Sequence, residues 1–172
     1  MKRILLGLAL AATASGVTAA PAAAQNQTDS DQLTATAVVA AAITVARVSD
    51  LDFGTVMPNF GRTILFTDAG AGHFQVTGAA AAEVSLAFSI LPANLSDGTN
   101  DLPVSFTTRH NTAADPTGGT TFDPAVGEPG TALDATTGTL HVYVGGTVTA
   151  AGTQVAGTYT AQVELTAAYT GN

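Results

Sequence analysis

The sequence predicts an all-β protein folded as a β-sandwich, and three observations carry that prediction. Apolar residues recur at every second position in one segment after another, the signature of extended chain with one buried face. Stretches rich in Gly, Pro, Asp and Thr separate these segments, as connections between strands do. No stretch carries the apolar repeat of an amphipathic helix, and no repeat of solenoid period appears. With residues 1–24 set aside as an export signal, the remainder has the size of one domain, which buries about two-thirds of its unfolded surface. Around seven or eight short strands in one such domain favour a sandwich with a shared core.

The elements follow in order. Lys2 and Arg3 give a positive start, Ile4, Leu5, Leu6, Leu8 and Leu10 lead an apolar run, and Ala22, Ala23 and Ala24 form a small-residue cleavage site before Gln25. The apolar run is far shorter than the roughly 20 residues of a membrane span, so residues 1–24 read as a secretory signal. Residues 25–32 are polar, like many mobile termini. Next, Leu33, Ala35, Ala37, Val39, Ala41, Ile43 and Val45 share one face of an extended chain, with Thr34 and Thr36 on the other. The β-branched residues here outweigh the helical leaning of Ala. Strands are predicted over residues 62–67, 73–78, 83–91, 102–109, 139–145 and 158–169. The pattern is clearest at 83–91, where Val84, Leu86, Phe88 and Ile90 oppose Glu83, Ser85, Ala87 and Ser89. The last segment sets Tyr159, Ala161, Val163, Leu165, Ala167 and Tyr169 on one face and is unusually long for a strand. Residues 92–100 and 111–137 have loop composition. The division into a signal (1–24), an N-terminal extension (25–41) and a sandwich domain (42–172) follows.

Composition narrows the chemistry. The chain holds 13 acidic against 5 basic residues, a net charge of −8, with no Cys and no Trp. Removing the signal leaves Arg47, Arg62 and Arg109 as the only Lys or Arg, too few to neutralise phosphates or anionic lipid heads. Nucleic acid and direct membrane insertion are therefore not expected. Without Cys there is no disulfide framework, thiolate metal site or Cys nucleophile. His73 and His141 fall on the polar sides of strand patterns and His110 opens a loop. With neither H-x-x-H nor H-x-x-x-H spacing, a metal site would have to be assembled from separate strands, and solvated histidines are the expectation. Residues 97–101, Asp-Gly-Thr-Asn-Asp, have calcium-favouring oxygens but neither the ligand order nor the closing Glu of an EF-hand, so turn capping is expected. No G-x-S-x-G, G-x-G-x-x-G or Walker pattern occurs, and Gly145-Gly146 reads as a turn. No enzyme activity and no cofactor is expected.

Three segments carry a resemblance. They are Ile43-Thr44-Val45 leading to Leu51-Asp52-Phe53-Gly54-Thr55-Val56; Phe74-Gln75-Val76-Thr77-Gly78 followed by Val84-Ser85-Leu86; and Leu140 to Gly146 running on to Ala156-Gly157-Thr158-Tyr159 and Ala168-Tyr169. With them the chain resembles a family of exported bacterial proteins classed as a domain of unknown function, itself similar to spore-coat-protein-U-like and chaperone–usher pilin subunits. Two departures stand out. Those coat-like subunits usually carry a Cys where this chain has Ile43 or its neighbours, and three residues follow Tyr169 where pilins usually have one. The resemblance implies an immunoglobulin-like sandwich that lacks its last strand, whose groove is filled first by a periplasmic chaperone and then by the extension of the next subunit.

On that implication the donor strand is Leu33, Ala35, Ala37, Val39 and Ala41, and the edge of the acceptor groove is Gly157, Tyr159, Val163, Leu165 and Tyr169. The other reading makes residues 33–41 the first half of a strand in the protein's own sheet. The expected function is a structural subunit of a surface pilus, exported through the periplasm to the cell surface. Its expected partners are copies of itself or related pilins, a periplasmic chaperone and an outer-membrane usher. The alternative is a self-contained secreted sandwich that binds a polysaccharide, a surface layer or calcium through the loops at 94–101 and 111–137.

Overall fold

The computed structural model describes residues 29–37, 39 and 41–171. The predicted signal segment and the start of the extension lie outside the described residues. The chain divides into two compact units, Met1–Ala37 and Val38–Asn172. In the first, the described residues 29–37 are exposed and form no strand, and their one local contact is the Gln32 amide donating to the Asp31 carboxylate.

The second unit is all-β, built from two antiparallel sheets in a sandwich-like arrangement, with no helix among the described residues. Its strands are β1 (Thr44–Ser49), β2 (Gly61–Ile64), β3 (Gly72–Thr77), β4 (Glu83–Ile90), β5 (Asn94–Ser96), β6 (Asp101–Asn111), β7 (Thr120–Phe122), β8 (Glu128–Ala132), β9 (Thr139–Thr149) and β10 (Glu164–Tyr169). One sheet runs β1-β3-β9-β6-β5, with β2 also on β9 and β7 also on β6; the other runs β10-β4-β8. The long strands β6 and β9 pair along most of their length, from Val104 opposite Val148 to Asn111 opposite His141, and the short strands join one end or the other.

Alternation decides which face is buried. In β9 Leu140, Val142, Val144 and Val148 turn inwards and are almost fully buried; in β4 Val84 and Leu86 do so, while Phe88 is half-buried and Ile90 drifts out to solvent. These residues build two separate core clusters. The first joins Val76, Val84, Leu86, Leu133, Leu140, Val142 and Leu165 between the sheets. The second joins Phe53, Ile64, Ala71, Leu102, Val148 and Ala150.

Several expectations are corrected. The alternating segment at 33–45 does not form a strand until Thr44. The last strand starts at Glu164 rather than 158, and of the residues before it only Thr160 makes a bridge, to Ser96. Gly145 and Gly146 are strand rather than turn, paired with β6 and, at Gly146, with β2, and glycine is required there because a Cβ on Gly145 would lie 2.6 Å from the Ile64 carbonyl oxygen and one on Gly146 2.5 Å from that of Ser105. The presumed loops hold β5, β7 and β8, short strands whose residues pair although their composition is that of turns. His110 belongs to β6 and is buried.

Candidate acceptor groove

An edge strand offers one row of backbone donors and acceptors to whatever lies beside it. Among the described residues β1 pairs only with β3 and β10 only with β4, so each sheet presents a free edge. The two edges approach at one end. There the Tyr169 hydroxyl accepts from the Ala79 amide at 2.7 Å and donates to the Ala41 carbonyl, also at 2.7 Å. Gly78 makes room for it: a Cβ at that position would stand 2.5 Å from the hydroxyl oxygen.

Away from Tyr169 the edges part. β10 begins only at Glu164, and residues 150–163 before it run outside the sheet in a loop fastened at a few points. Thr160 and Ser96 exchange two backbone hydrogen bonds of 2.9 Å. Gln154 Nε2 donates to the Asp101 carbonyl at 3.1 Å and to the Tyr159 hydroxyl at 2.8 Å, which in turn donates to the Val155 carbonyl. Behind this loop lies a cavity of about 1080 Å³, with Phe53, Phe74, Leu102, Phe106, Val144 and Val148 among its walls. Its lining also takes in Arg47 and Ser49 of β1, and Tyr159, Val163 and Glu164. The cavity draws its walls from residues of both core clusters or packed against them.

The predicted acceptor residues divide between rim and core. Gly157, Tyr159 and Val163 line the cavity, Leu165 is buried in the first core cluster, and Tyr169 packs against that cluster. The predicted donor residues Leu33, Ala35, Ala37, Val39 and Ala41 lie outside every strand and are exposed, Leu33 at 95% and Val39 at 94%. Sequence reasoning missed the walls contributed by Phe53, Phe106 and Leu102. The half-apolar alternation of β6 was the available signal, but nothing in it says that the facing sheet stops short.

The polar candidates are placed elsewhere. The Asp97 carboxylate accepts from the Asn100 and Thr99 amides and the Asn100 side chain, so its lone pairs serve its own turn, and these bonds hold it below the ordinary carboxylate range. Asp134 and Asp115 cap turns in the same way. His110 lies 3.7 Å from Glu128 of β8, and burial lowers its pKa more than that carboxylate raises it. His73 and His141 are half-buried neighbours rather than solvated, with His73 Nε2 2.9 Å from His141 Nδ1. Among the described residues no three His, Asp or Glu side chains gather as a metal cluster.

A family model described as a domain of unknown function (DUF4402) matches residues 43–169, which takes in all ten strands and both edges of the groove. No curated protein matches the chain.

Proposed function

The chain belongs to the DUF4402 family of domains of unknown function, and on that premise we propose that it is a structural subunit of a bacterial surface filament, assembled by strand exchange. In this reading the sandwich is immunoglobulin-like and incomplete, and residues 33–41 of a neighbouring copy enter the gap between β1 and β10. The observation that carries it is the apolar cavity of about 1080 Å³ beneath two unpaired strand edges, in a chain that also carries an exposed, alternating apolar segment. A nine-residue extended donor spans about 26 Å, longer than six-residue β10, so it reaches past that strand and over the cavity. Main-chain hydrogen bonds to the two edges supply much of the affinity, and Leu33 and Val39 supply the larger apolar anchors, since Ala35, Ala37 and Ala41 bury little area each. Before assembly a periplasmic chaperone covers the same groove, and an outer-membrane usher delivers the subunit to the cell surface.

The test is a deletion of residues 25–40, which leaves Ala41 and its bond to Tyr169 in place. The shortened chain should no longer polymerise, by sedimentation, yet should still accept a donor peptide. Grafting residues 33–41 after Asn172 through a flexible linker makes the step intramolecular at roughly millimolar effective concentration and should give a stable monomer. Polymers from the deleted chain, or a graft that adds no thermal stability, overturn the reading in favour of a self-contained binding module.

A further inference from the structure

A donor segment has two grooves open to it, a neighbour's and its own. The strand-exchange reading, on which this inference rests, needs the first. A tethered segment meets its own groove at roughly millimolar effective concentration, falling to nothing where the link cannot span the way there. We propose that Tyr169 and Ala41 form a clasp that denies the extension its own groove, so that the segment fills the groove of a second copy of this chain. Tyr169 is then a positioning residue for assembly.

The exit of the extension is fixed on both sides of Ala42. Ile43 packs against the first core cluster, and the Ala41 carbonyl accepts from the Tyr169 hydroxyl at 2.7 Å. That hydroxyl is itself held by the Ala79 amide at 2.7 Å, in space that Gly78 leaves free. To reach the free edge of β1, the extension has to reverse just before Thr44 and run back beside that strand as a hairpin. The shortest common hairpin turn takes two residues. With the clasp closed, Ala41 and Ile43 are both engaged, so the turn has to come from residues 38–40, which takes Val39, one of the larger anchors, out of the groove. With the clasp open, Ala41 and Ala42 supply the turn and residues 33–40 lie complete along β1. The sequence carries a second observation to the same end. Residues 33–47 contain no Gly, Pro, Asn or Asp, in a chain with 18 Gly, so no turn former stands where the reversal would be made.

The experiment compares the parent chain with Tyr169→Phe, by sedimentation and by uptake of a peptide of residues 33–41. Losing the hydroxyl frees the exit, so the ratio of monomer to polymer should rise about tenfold, the shift that one hydrogen bond of ordinary net strength gives. Those monomers should be folded and refuse the peptide, because their grooves are already filled. Ala41→Asn with Ala42→Gly leaves Tyr169 in place and writes a type I′ turn into the exit, and should likewise give monomers that refuse the peptide. With residues 25–40 deleted, the parent and the Tyr169→Phe chain should bind the peptide equally well. If the deleted parent binds no peptide, the strand-exchange reading fails and the clasp falls with it. If it binds, while a folded Tyr169→Phe chain polymerises as the parent does or yields monomers that take the peptide, the clasp alone is overturned. Where Tyr169→Phe does not fold, the double variant decides by the same two outcomes.

Discussion

Tyr169 joins three pieces of chain through one hydroxyl: β10 carries it, the segment after Gly78 donates to it, and Ala41 receives its proton. Tyr169→Phe leaves the ring in place but strands both backbone groups, and should cost about 1–3 kcal/mol in a denaturant titration. Gly78→Ala attacks the same contact sterically and should be at least as harmful. Leu86 is 1% exposed in the first core cluster, so Leu86→Ala should cost about 2–5 kcal/mol, and Phe88→Ala less because Phe88 is only half-buried. The histidines set an acid limit. Burial lowers the pKa of His73, His110 and His141, so the folded protein binds these protons less readily than the unfolded chain, whose histidines titrate near 6.5. Their contribution to stability is complete above about pH 6.5 and is lost as pH falls towards the folded values. Melting temperature should fall as pH drops from 7 to 5, and His110→Gln should flatten that fall.

At the scale of elements, legibility followed burial on one face. The β3, β4 and β9 segments alternate cleanly because one side of each meets the core, and they were read within a residue or two, apart from the end of β9. That end was misread because Gly145 and Gly146 look like a turn, whereas they are small so that two neighbouring strands can approach. β5, β7 and β8 were invisible because pairing alone defines them: Thr120–Phe122 is strand only because Thr108 to His110 lie alongside. The alternation of 158–169 was real in its second half, where Leu165, Ala167 and Tyr169 of β10 meet the first core cluster, and over-read in its first, where the chain is a loop whose Tyr159 packs on the second cluster and lines the cavity with Val163. The groove itself was legible only through its edges, since a missing partner leaves no residues to read. The extension invites a test of facing. Val39→Asp should reduce polymer mass sharply by burying an unpaired carboxylate in a neighbour's groove, while Thr36→Asp, on the other face, should be mild; sedimentation reads both.

At the scale of the whole molecule, net charge and core layout have separate effects. With a charge of −8 and an isoelectric point near 4.4, assembled chains should repel one another at neutral pH. Light scattering should show lateral association rising as pH approaches 4.4. The core, for its part, is divided: one cluster lies between the two sheets, the other is roofed in part by the loop residues Leu51, Val56 and Tyr159, and the cavity is lined by Phe53, Leu102, Val148 and Ala150 of the second. We expect the two clusters to open separately, the second more readily because loop residues roof part of it. In amide hydrogen exchange, β2, β5 and the start of β6 should lose protection well before β4 and the first half of β9. An incoming strand that bridges the gap should make the two rates converge. On the proposed strand-exchange reading, a subunit whose groove is still unfilled should be cut by proteases sooner than an assembled one, so that turnover removes whatever has not found a neighbour.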